Sequence, residues 1–270
     1  MRKLFLILTF SIVLWGVALP QNSPYAGGVM VKEIHATTKP KAYFGKKELM
    51  VLKGEEKDQY YIVAGLSLYL KAHESYKVSL DQDQKKSSFD VTLQEKKYKK
   101  QYIKMKNKRK VTPQKQDYKR IKSESARSKA ALALFTPQKF KNLEMIKPVD
   151  VEIKDDFGKR RYFNNKPRKP HSGVDMPAPT GTTIVAPLAG EVVEMGAFFF
   201  NGNVLFIDHG QGLVSMYCHM SAFDVKIGEH VKQGQKIGEV GATGRVTGPH
   251  LHWGVSLNGA MVDPRLFFKQ

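Results

Sequence analysis

Five side chains in the last hundred residues have the types and spacing of a metal-dependent hydrolytic centre. They are His171 and Asp175 in HSGVD, His219 in MYCHM, and His250 and His252 in GPHLHWGV. The chain has eight histidines in 270 residues, and half of them fall in these motifs. His250 and His252 are two apart, so on a strand both imidazoles leave one face while Leu251 and Trp253 take the other. His171 and Asp175, four apart around Gly173, converge on one ion if the glycine lets the chain turn sharply. Zinc accepts imidazole nitrogen and carboxylate oxygen, and a catalytic zinc keeps one position open for water beside three protein ligands. Two histidines and one aspartate fill those places, leaving two histidines for proton transfer and oxyanion stabilisation. The metal lowers the pKa of water to near neutrality and polarises the carbonyl under attack. The set fits metal-assisted amide hydrolysis. Spacing alone leaves open which of His250 and His252 is the ligand.

Taken singly, each motif also has a bland reading. HxxxD is short, an HxH pair can be exposed or hydrogen-bonded, and a lone His219 is ordinarily structural. His35, His73 and His230 have no companions and read as solvated. His209, in IDHG, closes a strand before Gly210 and reads as structural. Cys218 is the single cysteine, so no intrachain disulfide is available to an exported chain. By alternation it points away from the His219 face, which suits a small buried hydrophobe better than a thiol nucleophile.

The elements that must position these groups are strands, and the expected fold class is all-β. In the C-terminal part TIVAP, GEVVEMGA, NVLFIDH, LVSMYCH, KIGEVG and HLHWGVSL are strand-like, with glycine-rich turns between them. Antiparallel pairing is expected to put Tyr217 and His219 on one face beside His250 and His252, as the floor of a cleft. Residues 27–110 read as a small β-sandwich-like domain with strands KAYFG, LMVLKG, QYYIVAGLSL, SYKVSLD and SSFDVTL. Residues 111–150 read as a basic helical linker: Thr112-Pro113 looks like a helix start that runs to about Leu134, and Pro137 and Pro148 punctuate the rest. Residues 151–270 form the catalytic domain.

The succession PHSGVDM, GNVLFIDHGQGLVSMYCHMS and VKQGQKIGEVGATGRVTGPHLHWGV resembles the lysostaphin-type (LytM-domain) zinc metallopeptidases that cut peptidoglycan. The resemblance covers roughly residues 155–266. It implies that His171, Asp175 and His252 bind one Zn2+, and that His250 and His219 activate the water and stabilise the tetrahedral intermediate. A tyrosine found upstream of the first ligand in some members is not carried over, because Tyr162 lies nine residues before His171. More weakly, residues 27–110 resemble the N-terminal β domain of some Gram-negative members. Their substrate would be peptide bonds in peptidoglycan stems or cross-links, D-alanyl to meso-diaminopimelate in a Gram-negative cell. A glycine bridge is the alternative bond. A non-catalytic, wall-binding activator of an amidase is the alternative function. The phrase VKIGEHVKQGQKIGEV also resembles biotinyl and lipoyl carriers, but the following turn, GATGRVTGPH, has no lysine to carry the group.

Residues 1–18 read as a signal peptide: Arg2 and Lys3, then an apolar run, with cleavage after Ala18 or as late as Ala26. The run is about 14 residues, shorter than the ~20 of a membrane span, so the mature chain is expected to be exported, periplasmic or extracellular, with no integral membrane segment. The formal charge is +19, with a dense run in KKYKKQYIKMKNKRK. An exported protein meets little nucleic acid, so anionic wall polymer or a membrane surface is the expected partner of this run, beside peptidoglycan itself. The bland reading is a solvated face. The long connector suggests that the helix or a β-domain loop folds back over the cleft and regulates it.

Overall fold

The structure, a computed structural model, describes residues 18–83, 85–140 and 142–269. The expected signal segment lies outside the described residues except for Ala18. Seven strands come first: β1 (Val29–His35), β2 (Lys41–Phe44), β3 (Lys47–Glu48), β4 (Met50–Lys53), β5 (Gln59–Gly65), β6 (Ser75–Gln82) and β7 (Lys85–Thr92). After β8 (Lys100–Ile103) come two helices, α1 (Lys108–Val111) and α2 (Asp117–Leu132). The C-terminal part contributes β9 (Arg160–Phe163), β10 (Lys166–Pro167), β11 (Val174–Met176), β12 (Thr183–Val185), β13 (Gly190–Phe198) and β14 (Gly202–Gly210). It continues with β15 (Leu213–Met220), β16 (Ala222–Phe223), β17 (His230–Val231), β18 (Lys236–Glu239), β19 (Leu251–Leu257) and β20 (Ala260–Val262). The expected all-β class with few helices holds. No helix among the described residues is long and apolar enough to cross a membrane.

The N-terminal strands form two facing sheets, β1-β5-β4 and β3-β2-β6-β7. Ala42, Val78, Leu80 and Val91 of the second sheet pack on Met30, Val51, Ile62 and Ala64 of the first. The intervening residues Val29, Met50, Leu52 and Val63 point the other way, into the main core with Leu213, Leu257 and Val262. Side chains alternate along a strand, so a sheet whose consecutive residues are all apolar is covered on both faces. The sandwich is thereby fused to the C-terminal part by burial. At the β19–β20 turn, Asn258 accepts from Gly65 N at 2.6 Å and donates to Gly65 O at 3.1 Å.

The C-terminal sheet runs β11-β19-β15-β14-β13-β17, with β20 beside β19. One face carries the main core, including Tyr217, Trp253 and Val255. The other carries Val204, Phe206, Val214, Met216 and Cys218, against which Ala131 of α2 packs. The helix starts at Asp117, not at Thr112-Pro113, because the Asp117 carboxylate accepts from Gln114 N and pairs with Arg109, tying the preceding residues into a loop. Its buried residues are Asp117, Glu124 and Ala131, a seven-residue repeat of which two members are carboxylates. Glu124 accepts from Phe199 N at 2.7 Å, and Arg127 binds Glu194 through two nitrogens, at 2.8 and 2.6 Å. The linker helix is therefore docked on the sheet by charge and hydrogen bonds. Strand β8, from the basic run, pairs in parallel with β9 and belongs to neither N-terminal sheet. It is an exception to the expected antiparallel pairing.

Candidate functional site

Strands β11 and β19 bring the first three residues together. In their antiparallel register Asp175 stands directly opposite His252, and Val174 opposite Trp253. His171 reaches the same point from the loop before β11, where its N–H bonds to Lys159 O. Gly173 is needed for close approach, not for a turn with positive φ. A Cβ there would lie 2.5 Å from Trp253 O and 2.8 Å from His252 Cε1. His171 Nε2 is 2.8 Å from His252 Nδ1 and 3.1 Å from Asp175 Oδ1, and His252 Nδ1 is 3.0 Å from the same oxygen. His171 Nδ1 donates to Asp156 O at 2.9 Å, which orients the ring so that Nε2 faces this point. Two imidazole nitrogens and one carboxylate oxygen thus converge on one point, a donor set that zinc accepts.

The remaining two histidines flank this triangle. His250, just before β19, donates from Nδ1 to Gly248 O at 2.8 Å, and its Nε2 is 3.8 Å from Asp175 Oδ1. His219 donates from Nδ1 to Thr243 O at 2.8 Å, with its ring 4.9 Å from that of His250. Simple alternation would not put it there. Tyr217 opposes Trp253 on the core side, whereas Cys218 opposes His252 on the cleft side. The expectation that Tyr217 shares the histidine face is corrected: Cys218 does. His219 joins them through a β-bulge in which Asn203 pairs Met220 and Leu205 pairs Tyr217, with His219 at φ 68°. Bulges re-aim side chains, and a non-glycine residue in the left-handed region costs ~1–3 kcal/mol.

Electrostatics follow from burial and these contacts. Burial pushes His219 down to about 3, helped by the charges of His252 and His250. Burial likewise takes His252 to about 4. Burial alone would raise Asp175, but hydrogen bonds from His171 and His252 hold its carboxyl far below the usual range. Burial would also lower His171, yet bonds to Asp156 and Asp175 raise it. Cys218 is buried, and burial pushes its thiol up, away from nucleophilic form.

Sequence reading missed the residues that brace the triangle. Arg161 donates to Asp175 Oδ2 at 2.6 Å, on the oxygen opposite the convergence point, and to Gln101 Oε1 at 3.0 Å. Asp156 Oδ1 accepts from Asp175 N at 3.2 Å. Asp156 and Arg161 stand in KDDFGKRRYF, a charged stretch with no motif, and only the fold shows their aim. His209 is fully engaged elsewhere, donating to Ala189 O and accepting from Ser215 Oγ at 2.7 Å. His35, His73 and His230 lie away from the cleft and are not brought into it.

The site opens into a cleft of 790 Å³, walled on one side by α2 and on the other by the segment around Arg168 and His171. The arrangement offers a candidate cation site beside two imidazoles whose Nδ1 atoms are bonded to backbone carbonyls.

Residues 169–264 match Peptidase family M23, and residues 22–96 match the Peptidase family M23 N-terminal domain. The chain is similar along most of its length to an M23 peptidase crystal structure from Pseudomonas aeruginosa. That similarity has 38% identity and a TM-score of 0.76, covering 91% of this chain and 95% of that one. It is 47% identical over 120 residues to peptidoglycan DD-endopeptidase ShyC of Vibrio cholerae, covering 44% of this chain and 28% of that protein. It is 39% identical over 116 residues to DD-carboxypeptidase/endopeptidase Mpg of Neisseria meningitidis, covering 43% of this chain and 27% of that protein. The chain thus matches less than a third of the length of these two curated relatives. The likeness to the Pseudomonas chain spans nearly the whole of both chains, and this protein belongs to peptidase family M23.

Proposed function

We propose that this chain is an exported zinc-dependent endopeptidase that hydrolyses peptide bonds in peptidoglycan stems or cross-links, with D-alanyl to meso-diaminopimelate as the bond cut. The observation that carries the reading is the convergence of His171 Nε2, Asp175 Oδ1 and His252 Nδ1 within about 3 Å of one another. His171, Asp175 and His252 would hold the ion, which would polarise the scissile carbonyl and lower the pKa of a water. His250 and His219 each give Nδ1–H to a backbone carbonyl, so each keeps Nε2 free to take the proton of the attacking water. The imidazolium formed then faces the oxyanion and returns its proton to the leaving amine. Arg161, donating to Asp175, would fix that ligand's orientation, and Asp156 O, accepting from His171 Nδ1, would fix the ring and add basicity to its Nε2.

The relatives named as peptidoglycan endopeptidases support the substrate class. The test is digestion of purified cross-linked peptidoglycan by the zinc-loaded chain, with mass analysis of the released muropeptides. Loss of cross-linked dimers with matching monomers, abolished by a chelator and by His219→Ala, is expected. Bound zinc without any cleavage would reject the enzyme and favour the amidase-activator alternative.

A further inference from the structure

The same cleft holds a guanidinium that the described residues leave without an acidic partner. Arg245 lies in the loop leading to His250, with its guanidinium 4.6 Å from the Phe163 ring centre and 4.5 Å from that of Phe200. Its neighbours are occupied: Arg161 binds Asp175 and Gln101, and Arg168 donates to Val111 O and Pro167 O. The charges felt by Arg245 are those of Arg168 and Arg161, which add to burial in pushing it down to about 10. Glu124, the carboxylate on the α2 wall, is already used by Arg120 and Phe199 N. Cation–π contact offsets only part of the cost of burying a guanidinium that has no acidic partner. The two rings restrain the guanidinium by contact, and a planar fork binds a carboxylate through two parallel hydrogen bonds.

We propose that Arg245 forms a carboxylate-binding subsite of the cleft, which recognises a free carboxylate flanking the peptide bond to be cut. The proposal rests on the peptidase reading of this cleft and adds a specificity determinant to it. Meso-diaminopimelate carries a carboxylate beside its amine, which a neutral glycine bridge lacks, so the subsite favours the former class of cross-link.

The test uses the full chain and two synthetic cross-link peptides that differ only in a free carboxylate or its carboxamide next to the scissile bond. KM and kcat are measured separately, and equilibrium binding is measured on the His219→Ala chain. Amidation is expected to weaken binding and raise KM about 10–100-fold, with a smaller change in kcat. Arg245→Met, which keeps stacking bulk, is expected to bind both peptides alike. Arg245→Lys, which keeps the charge without the fork, is expected to recover part of the preference and serves if the first variant folds poorly. Equal binding of both peptides by the unsubstituted cleft, or a preference unchanged in Arg245→Met, would overturn the subsite. Preference in binding without cleavage of either peptide would uphold the subsite and reject the peptidase reading.

Discussion

Two polar clusters occupy opposite faces of one sheet, one built on a single histidine and one on four, and they differ in what their polar atoms are left to do. On the core face Tyr217, Ser215 and His209 form a closed chain that ends on Ala189 O, with contacts of 2.7 and 2.8 Å. Both His209 nitrogens are used. On the cleft face His171, His252, His219 and His250 each leave a nitrogen aimed at common space, and three donor atoms crowd around one point. Residue type and depth are similar on the two sides; burial takes His209 to about 4 and His219 to about 3. A closed polar network stabilises, whereas an open one is chemistry held in reserve.

The largest contrast is expected from removing a proposed ligand. Asp175→Asn should lose zinc affinity and about 10²–10³-fold in cleavage, a scale typical of removing a central electrostatic group. His209→Gln should cleave within about twofold of the parent, because it touches no cleft atom. Comparable losses in both would erase the distinction.

Acidification tests the sealed core-face cluster next. His209 has a folded pKa of about 4, below its unfolded value near 6.5, so the unfolded chain binds an extra proton between the two. Stability from this group is complete above pH 6.5 and is lost as pH falls towards 4, up to about 3 kcal/mol. Urea midpoints of the parent should therefore fall more steeply over that window than those of His209→Gln. Parallel curves would count against a neutral, sealed His209.

The braces give a middle-sized effect. Arg161→Met removes the hydrogen bond on Asp175 Oδ2, and zinc affinity should fall about 10–100-fold, measured by competition with a chromogenic chelator. The smallest effect is at the bulge. His219→Gly should be about 1 kcal/mol more stable than His219→Ala, since glycine adopts φ 68° freely, while both lose activity. Equal melting points would argue that the bulge relaxes when the imidazole is gone.

The strands were legible through their period-two alternation, and the five chemical residues through short motifs of which only His250 and His252 stand on that period. What the sequence hid were departures from the period and contacts across long separations. The three-residue strand carrying Asp175 is too short to show alternation. His219 reaches the cleft only by breaking alternation, which is why Tyr217 was expected on the wrong face. Arg161 finds Gln101 sixty residues away, in a run whose charge suggested a solvated or docking surface. The helix that walls the cleft buries two acids along its stripe, so no apolar pattern announced that it would dock. That docked wall sharpens the regulatory idea: loosening it with Arg127→Ala should change cleavage of large substrates more than of short peptides.

The most direct measurement is the cleavage rate of cross-linked muropeptide by metal-stripped full chain as zinc is added back. A rise that saturates at one equivalent, and is absent in Asp175→Asn, is the predicted result. Full activity in the metal-free chain, or an undiminished response in Asp175→Asn, would contradict the assignment of the cleft-face cluster as the catalytic centre.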